Sequence, residues 1–196
     1  MIKGSQNRRE ELAKVVRAWW QALQPQPTGN AQQRSEGGAR RAGLARLRRA
    51  PSTMAALLEP EVIDLCRRLK PFDVEHARAA TIARILAHVR SAQPATGQRG
   101  ALVRVLGPKS NDKNGEGAVL KRLRLERLLD TTGEEELARS MIRLLQLAGR
   151  DRPIDIGDLA ASVADWNQDQ VRIAWAYAYY DVDSAPSGDA PAPTIF

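Results

Sequence analysis

The chain has 196 residues and a mass of 21.6 kDa, enough for one large domain or two small lobes whose core needs no disulfide or metal. Its 30 Lys and Arg residues, 24 of them Arg, outnumber the 23 acidic residues, so acidic partners are favoured and nucleic acid comes first among them. A lone cysteine, Cys66, excludes an internal disulfide, and the lack of a long apolar run excludes a membrane span. We therefore expect a cytoplasmic globular protein without a cofactor.

Helical periodicity dominates the chain from its first residues onward. Residues 7–23 place Trp19 and Trp20 on the apolar face of a helix, which Pro25 ends, and residues 28–38 are predicted to be a flexible connection. No alternating strand pattern of useful length occurs, so the fold class is all-α. Further helices are predicted at 39–50, 52–58, 61–69, 73–92, 118–129, 134–148, 156–166 and 169–180, with Asp155 as the cap of the helix at 156–166.

Glycine and proline divide this helical chain into two parts. Residues 91–117 contain five Gly and two Pro, interrupted by a short apolar segment at 101–106. We therefore predict a two-lobed helical bundle with loop-rich connections. The predicted boundaries are an N-terminal helical lobe at 1–107, a linker at 108–117, a C-terminal helical lobe at 118–182 and a disordered tail at 183–196.

Positive charge is concentrated in two runs. Residues 34–49 and residues 99–127 each carry a net charge of +5, which leaves the rest of the chain at −3. Runs of this kind are often solvated helix faces, but both lie beside glycine-rich segments that can adapt to a nucleic-acid backbone. The contacts are expected to be made to phosphates without sequence preference. The predicted nucleic-acid-binding residues are Arg41, Arg46, Arg48, Arg49, Arg99, Lys109, Lys113, Lys121, Arg122, Arg124 and Arg127.

No group of side chains with the spacing of an active site or a metal site is found. His76 and His88 are twelve residues apart, so they do not form a metal-binding pair on adjacent helical turns, and each is expected to face solvent or to cap a helix. Cys66 is expected to be an ordinary buried thiol. The sequence therefore predicts a protein that is not an enzyme and holds no metal.

The last predicted helix has apolar or aromatic residues on two sides. One side is expected to pack internally, and the other, formed by Ile173, Tyr177 and Tyr180, is a candidate contact for a second copy or for another subunit. An alternative is that residues 158–180 form a helix-turn-helix DNA-binding regulator. Its second helix would bring only Arg172 to the DNA, beside Asp165 and Asp169, whose charges would repel phosphates.

Several local patterns resemble one family, the CasB-type small subunit of the type I-E CRISPR surveillance complex Cascade. The C-terminal pattern is the most specific, because Trp166 is followed by an Arg172-containing Trp-Ala-x-x-Tyr-Tyr helix that ends at Tyr180. Glu126 departs from the family pattern, which often has a basic residue there. The other similar stretches are Trp19-Trp20-x-x-Leu23, Leu47-Arg48-Arg49-Ala50 and Arg124-Leu125-Glu126-Arg127-Leu128-Leu129.

The resemblance implies an all-helical, two-lobed protein without catalytic activity, present in two copies within Cascade. It would contact the other Cascade subunits and hold DNA of the R-loop formed by guide and target, chiefly the displaced single strand. No membrane partner is implied.

Overall fold

The computed structural model describes residues 2–24, 31–109 and 117–180. Within these ranges the regular secondary structure is α-helical, apart from one 3₁₀ turn at Lys70–Phe72 and one isolated backbone bridge, and the all-α prediction is confirmed. The helices are α1 (Ile2–Leu23), α2 (Ala31–Arg49), α3 (Thr53–Ala56), α4 (Pro60–Leu69), α5 (His76–Ala87), α6 (Ala101–Leu106), α7 (Arg122–Leu129), α8 (Glu134–Ala148), α9 (Ile156–Ala164) and α10 (Asp169–Tyr179).

Several helices differ in extent from their predictions. Helix α1 begins at Ile2 rather than at residue 7, and α7 begins at Arg122 rather than at residue 118. Helix α2 already begins at Ala31, so the predicted flexible connection is wrong for residues 31–38. The strong helix formers at its start offset the two glycines that follow, each of which costs about 1 kcal/mol. Helix α5 is shorter than residues 73–92, because Asp73 has a left-handed φ of 54° before it and His88 caps its end. The predicted tail, residues 110–116 of the predicted linker and therefore Lys113 lie outside the described residues.

Helix α5 lies at the centre of the molecule. All of its residues from Arg78 to Ala87 are buried, which is the behaviour of a helix packed on every side. Its two buried arginines form ion pairs with the first turn of α8, Arg78 with Glu134 and Arg84 with Glu135, both at 2.7 Å. These pairs hold the N-terminal end of α8 against α5.

Helix α1 packs most extensively against α9, so the N-terminal helix contacts the C-terminal part of the described chain. Trp19 and Trp20 are buried as predicted, and the indole nitrogen of Trp20 donates a hydrogen bond of 3.1 Å to the Leu86 carbonyl of α5. Asp155 caps α9 as predicted by accepting a hydrogen bond from the backbone nitrogen of Asp158. One hydrophobic cluster therefore includes residues from both sides of the predicted lobe boundary.

Helix α10 closes the C-terminal part of the bundle. The rings of Trp166 and Trp175 meet edge to face with their centroids 5.0 Å apart, and the Tyr179 hydroxyl donates a hydrogen bond of 2.8 Å to the Leu120 carbonyl. A Cβ atom on Gly107 would lie 2.1 Å from the Tyr179 carbonyl oxygen, so only glycine permits this approach between the end of α6 and α10.

Candidate nucleic-acid interface

Two clefts with basic walls lie along one side of α8. The first, here called the His88 cleft, has a volume of about 280 Å³ and is bordered by arginines from three separate parts of the chain. The second, here called the Arg143 groove, has a volume of about 570 Å³. Gln146 lines both, so together they form one continuous surface, which we call the basic face. No acidic side chain lines either cleft within the described residues.

The His88 cleft is built where the ends of several elements converge. Arg48 comes from the last turn of α2, and its Nε donates a hydrogen bond to the Ala87 carbonyl at the end of α5. The chain after α5 then pairs with the segment before α9, since Gln93 donates to Ile154 at 2.9 Å and Ile154 donates to Ser91 at 3.0 Å. This backbone pairing places Arg90 and Arg152 on the same cleft, where Arg150 joins them.

The charges of the His88 cleft act on one another. Partial burial, followed by the charge of Arg90, lowers the pKa of the Arg48 guanidinium from its ordinary value. Burial and the charges of Arg48 and Arg84 lower the pKa of His88, so the imidazole is neutral at pH 7. A cleft of this composition attracts anions.

The Arg143 groove lies between α7 and α8. Arg124 and Arg127 of α7 and Arg143 of α8 surround it, and Leu128, Leu144 and Leu147 contribute an apolar lining. Arg124, Arg127 and Arg143 are exposed to solvent. Guanidinium groups beside an apolar floor can bind phosphate while the floor contacts a sugar or a base.

The structure brings together only some of the basic residues that the sequence predicted. Arg48, Arg124 and Arg127 lie on the basic face. Arg46 instead forms ion pairs with Glu59 at 2.6 Å and Glu61 at 2.9 Å, and Arg122 pairs with Glu126 at 2.6 Å. Four other predicted residues within the described ranges are exposed but line neither cleft: Arg41, Arg49, Lys109 and Lys121.

Arg99 lies in a different place. It lines a cavity of about 770 Å³ between α1, residues 95–99 and the start of α9, and burial, followed by the charge of Arg9, lowers its pKa. Asp158 lines the same cavity and is paired with Arg9 at 2.5 Å, yet burial raises its pKa to about 6. Because Asp158 also accepts a hydrogen bond from the Ala101 backbone nitrogen, it serves to hold residues 95–101 against α1.

Four arginines of the basic face were missed by the sequence analysis: Arg90, Arg143, Arg150 and Arg152. They were missed because charge was counted along the chain, where the acidic residues at 134–136, 151, 155 and 158 offset them. The helical repeat carried a usable signal. Arg139, Arg143, Gln146 and Arg150 follow a spacing of three to four residues and form a polar stripe on α8 and just beyond its end.

Helix α10 presents an apolar surface to solvent. Ile173, Tyr177 and Tyr180 are each about half exposed, at 52%, 49% and 53%. Its basic residue Arg172 forms an ion pair with Asp169 and donates a hydrogen bond to the Leu129 carbonyl. This surface does not favour a helix-turn-helix reader, since such a helix needs free donors and positive charge toward the DNA groove.

The described ranges hold neither a metal-ligand cluster nor a membrane-spanning helix. No group of three or more His, Cys, Asp or Glu side chains there could hold a metal ion. No helix in those ranges is sufficiently long and apolar to span a bilayer.

Comparison with known proteins agrees with the resemblance seen in the sequence. The model of one family, CRISPR-associated protein Cse2, matches residues 40–180, which include most of α2 and all the later helices. No curated protein and no solved structure matches the chain. Since the match extends over well more than half of the chain, this protein belongs to the Cse2 family, the CasB-type small subunits of the type I-E CRISPR complex Cascade.

Proposed function

We propose that this Cascade subunit is not an enzyme but binds nucleic acid without sequence preference through its basic face, and so stabilises the R-loop during antiviral DNA targeting. The displaced single strand is the main ligand, because it is the strand left without a pairing partner. The exchange of the DNA duplex for the guide–target duplex is nearly balanced in free energy. Modest contacts to the displaced strand therefore shift that balance.

The observation that supports this proposal is the arrangement of arginines around α8. Arg48, Arg90 and Arg150 in the His88 cleft and Arg124, Arg127 and Arg143 in the Arg143 groove border a continuous surface without an acidic lining residue in the described chain. Arginine binds phosphate through a planar fork of donors, whereas reading the sequence requires contacts to the edges of the bases. The basic face thus suits the phosphates of any sequence.

Salt dependence tests the proposal. If the face contacts about four phosphates of a single strand, the log–log slope of affinity against salt is roughly −0.7 × 4, or about −3. Replacing Arg143 and Arg150 by Gln removes two of these contacts, and we expect the slope to flatten by about 1.4. The measurement is a salt titration by fluorescence anisotropy with two unrelated single strands and one duplex.

A matched variant separates the basic face from total charge. Arg46→Gln combined with Arg122→Gln removes the same number of charges, but both arginines are already paired with glutamates. This control is expected to keep most of the wild-type slope. Equal slopes in all three proteins would contradict the proposal, as would a strong preference for one of the two single strands.

The apolar surface of α10 completes the proposal. Ile173, Tyr177 and Tyr180 form a contact with a second copy of the chain or with another Cascade subunit. Exposed tyrosines beside an aliphatic side chain are favoured in protein interfaces, since they bury a large area with few rotatable bonds.

A further inference from the structure

We propose that the His88 cleft is a binding site for one backbone phosphate of the bound strand, and that His88 takes up a proton when this phosphate binds. The inference rests on the proposed function and deepens it by naming one site on the basic face and the proton that accompanies binding. The ligand is a phosphodiester group, and His88 binds it as the imidazolium.

The lining of the cleft supports a phosphate as the group that binds there. With a volume of about 280 Å³, the cleft has room for a phosphate group. Arg48, Arg90, Arg150 and Arg152 line it together with His88. Four guanidinium groups and an imidazole around a small space offer donors on several sides, which matches the oxygens of a phosphate.

His88 is positioned to respond to such a ligand. It is half-buried, and its backbone nitrogen caps α5 by donating to the Ile85 carbonyl at 3.0 Å, so the residue is held in place by the helix end. Its imidazole forms no hydrogen bond within the described residues. Both ring nitrogens are thus available to a ligand in the cleft.

The charged groups around His88 come from every side of the cleft. Arg48 belongs to α2, Arg90 follows α5, and Arg150 and Arg152 precede α9. Arg84 of α5 also acts on the imidazole, although Glu135 neutralises part of its charge. The uncharged Leu145 and Gln146 are the contributions of α8. Among the neighbouring acids, Asp151 lies on an adjacent cleft beside Arg150 and Arg152.

These surroundings determine the direction in which phosphate binding shifts the pKa of His88. Burial and the charges of Arg48 and Arg84 lower the pKa of His88. A phosphate brings a negative charge to the ring and hydrogen bonds that favour its charged form, so binding raises that pKa. By linkage, the strand binds more tightly as the pH falls through the raised value. Up to one proton is taken up from solvent per phosphate bound, the most when the pH lies between the pKa values of the free and the bound form.

The chain permits a direct measurement because it has two histidines. The ring-proton resonances of His76 and His88 in the full-length protein are followed by NMR against pH, alone and with a short oligothymidine strand. We expect the pKa of His88 to rise in the complex, and His76, which is exposed at the start of α5 and does not line the cleft, serves as the internal control. A parallel titration with inorganic phosphate at equal ionic strength shows whether the His88 cleft also binds a free anion.

Binding assays give the second measurement. The wild type is expected to bind the strand about three- to tenfold more tightly at pH 5.5 than at pH 7.5. His88→Gln should lose this gain, while the matched variant His76→Gln keeps it. Arg90→Gln with Arg150→Gln should weaken binding and reduce the pKa rise of His88.

The outcomes separate the two proposals. The proposal of a phosphate-binding site at His88 is wrong, and the proposed function stands, if the strand binds but the pKa of His88 does not change. The same holds if His88→Gln retains the full pH dependence of binding. If the wild type binds no strand at any pH, both are overturned. A rise of the His88 pKa on addition of the strand supports the phosphate-binding site, whether or not inorganic phosphate alone also raises that pKa.

Discussion

At the scale of single residues, the nearest acid decides what an arginine does. Arg84 is buried in α5 and paired with Glu135, so its charge stabilises the core and cannot reach a partner. Arg46 is exposed but paired with two glutamates of the α3–α4 region. Arg150 is exposed on a cleft without acidic lining residues. Only an exposed arginine on a surface without acidic lining residues, such as Arg150, adds to a surface that attracts phosphate.

The pH dependence of folding should reveal the buried carboxyl of Asp158. Burial raises its pKa to about 6 from an ordinary value of 3.8, so the folded state binds a proton that the unfolded state releases between these values. Its contribution to the free energy of unfolding therefore grows as the pH falls through 6. Between pH 7 and pH 4.5 we expect the wild type to gain about 2 kcal/mol relative to Asp158→Asn.

Urea unfolding of both proteins at several pH values measures this difference, because shifts common to all other carboxyls cancel. A difference that stays constant with pH, or that falls toward acid, would mean that the ion pair with Arg9 keeps Asp158 ionised against the effect of burial.

At the scale of elements, α8 and α10 each have one face in the core and one face with a separate role. Leu137, Met141 and Leu144 bury one side of α8, while Arg143 and Gln146 face the clefts. The periodicity of each helix predicts which side is buried, since core positions recur every three to four residues. It does not predict what lies beside the other face.

Substitution of the exposed tyrosines on α10 separates folding from assembly. Tyr177→Ser with Tyr180→Ser should change the stability of the isolated chain by at most about 1 kcal/mol per site, because both side chains are half exposed and the ring of Tyr180 contacts Tyr179 only edge to face. Assembly with the other Cascade subunits, or self-association, should weaken, as measured by size-exclusion chromatography with light scattering.

Buried Tyr179 is the comparison for this experiment. Its hydroxyl donates to the Leu120 carbonyl, so Tyr179→Ser should destabilise the chain by several kcal/mol, about 3 or more. If the Tyr177 and Tyr180 variant also unfolds in isolation, the exposed face of α10 is part of the fold and the interface prediction is wrong.

At the scale of the whole molecule, the two predicted lobes share one hydrophobic core. Helix α1 packs on α9, and α5 packs on α8 and α9, so the main contacts join residues far apart in the chain. We expect one cooperative unfolding transition, because neither part buries its apolar faces alone. Helical circular dichroism and tryptophan fluorescence should give the same urea midpoint.

The tryptophans make this test informative, since Trp19 and Trp20 report on α1 while Trp166 and Trp175 report on the C-terminal part. Leu12→Ala in α1 should lower the free energy of unfolding by about 2–5 kcal/mol, and circular dichroism and tryptophan fluorescence should report the same decrease. Two separate transitions, or a shift confined to one signal, would show that the lobes unfold independently.

The local pattern of this chain is enough to predict the all-α fold, the buried faces of its helices and the cap at Asp155. These depend on interactions between residues a few positions apart, which the helical repeat records directly. The family motifs are also short stretches of the chain, so the amino-acid sequence by itself carries the resemblance to the Cascade small subunit.

The tertiary structure alone decided which charges come together. Arg48, Arg90 and Arg150 lie far apart in sequence and line one cleft because Arg48 bonds to the end of α5 and the chain after α5 pairs with the segment before α9. Two predicted binders, Arg46 and Arg122, are neutralised by glutamates. Coulomb interactions depend on distance in space, so a count of charge along the chain could predict a nucleic-acid partner but not the surface that would bind it.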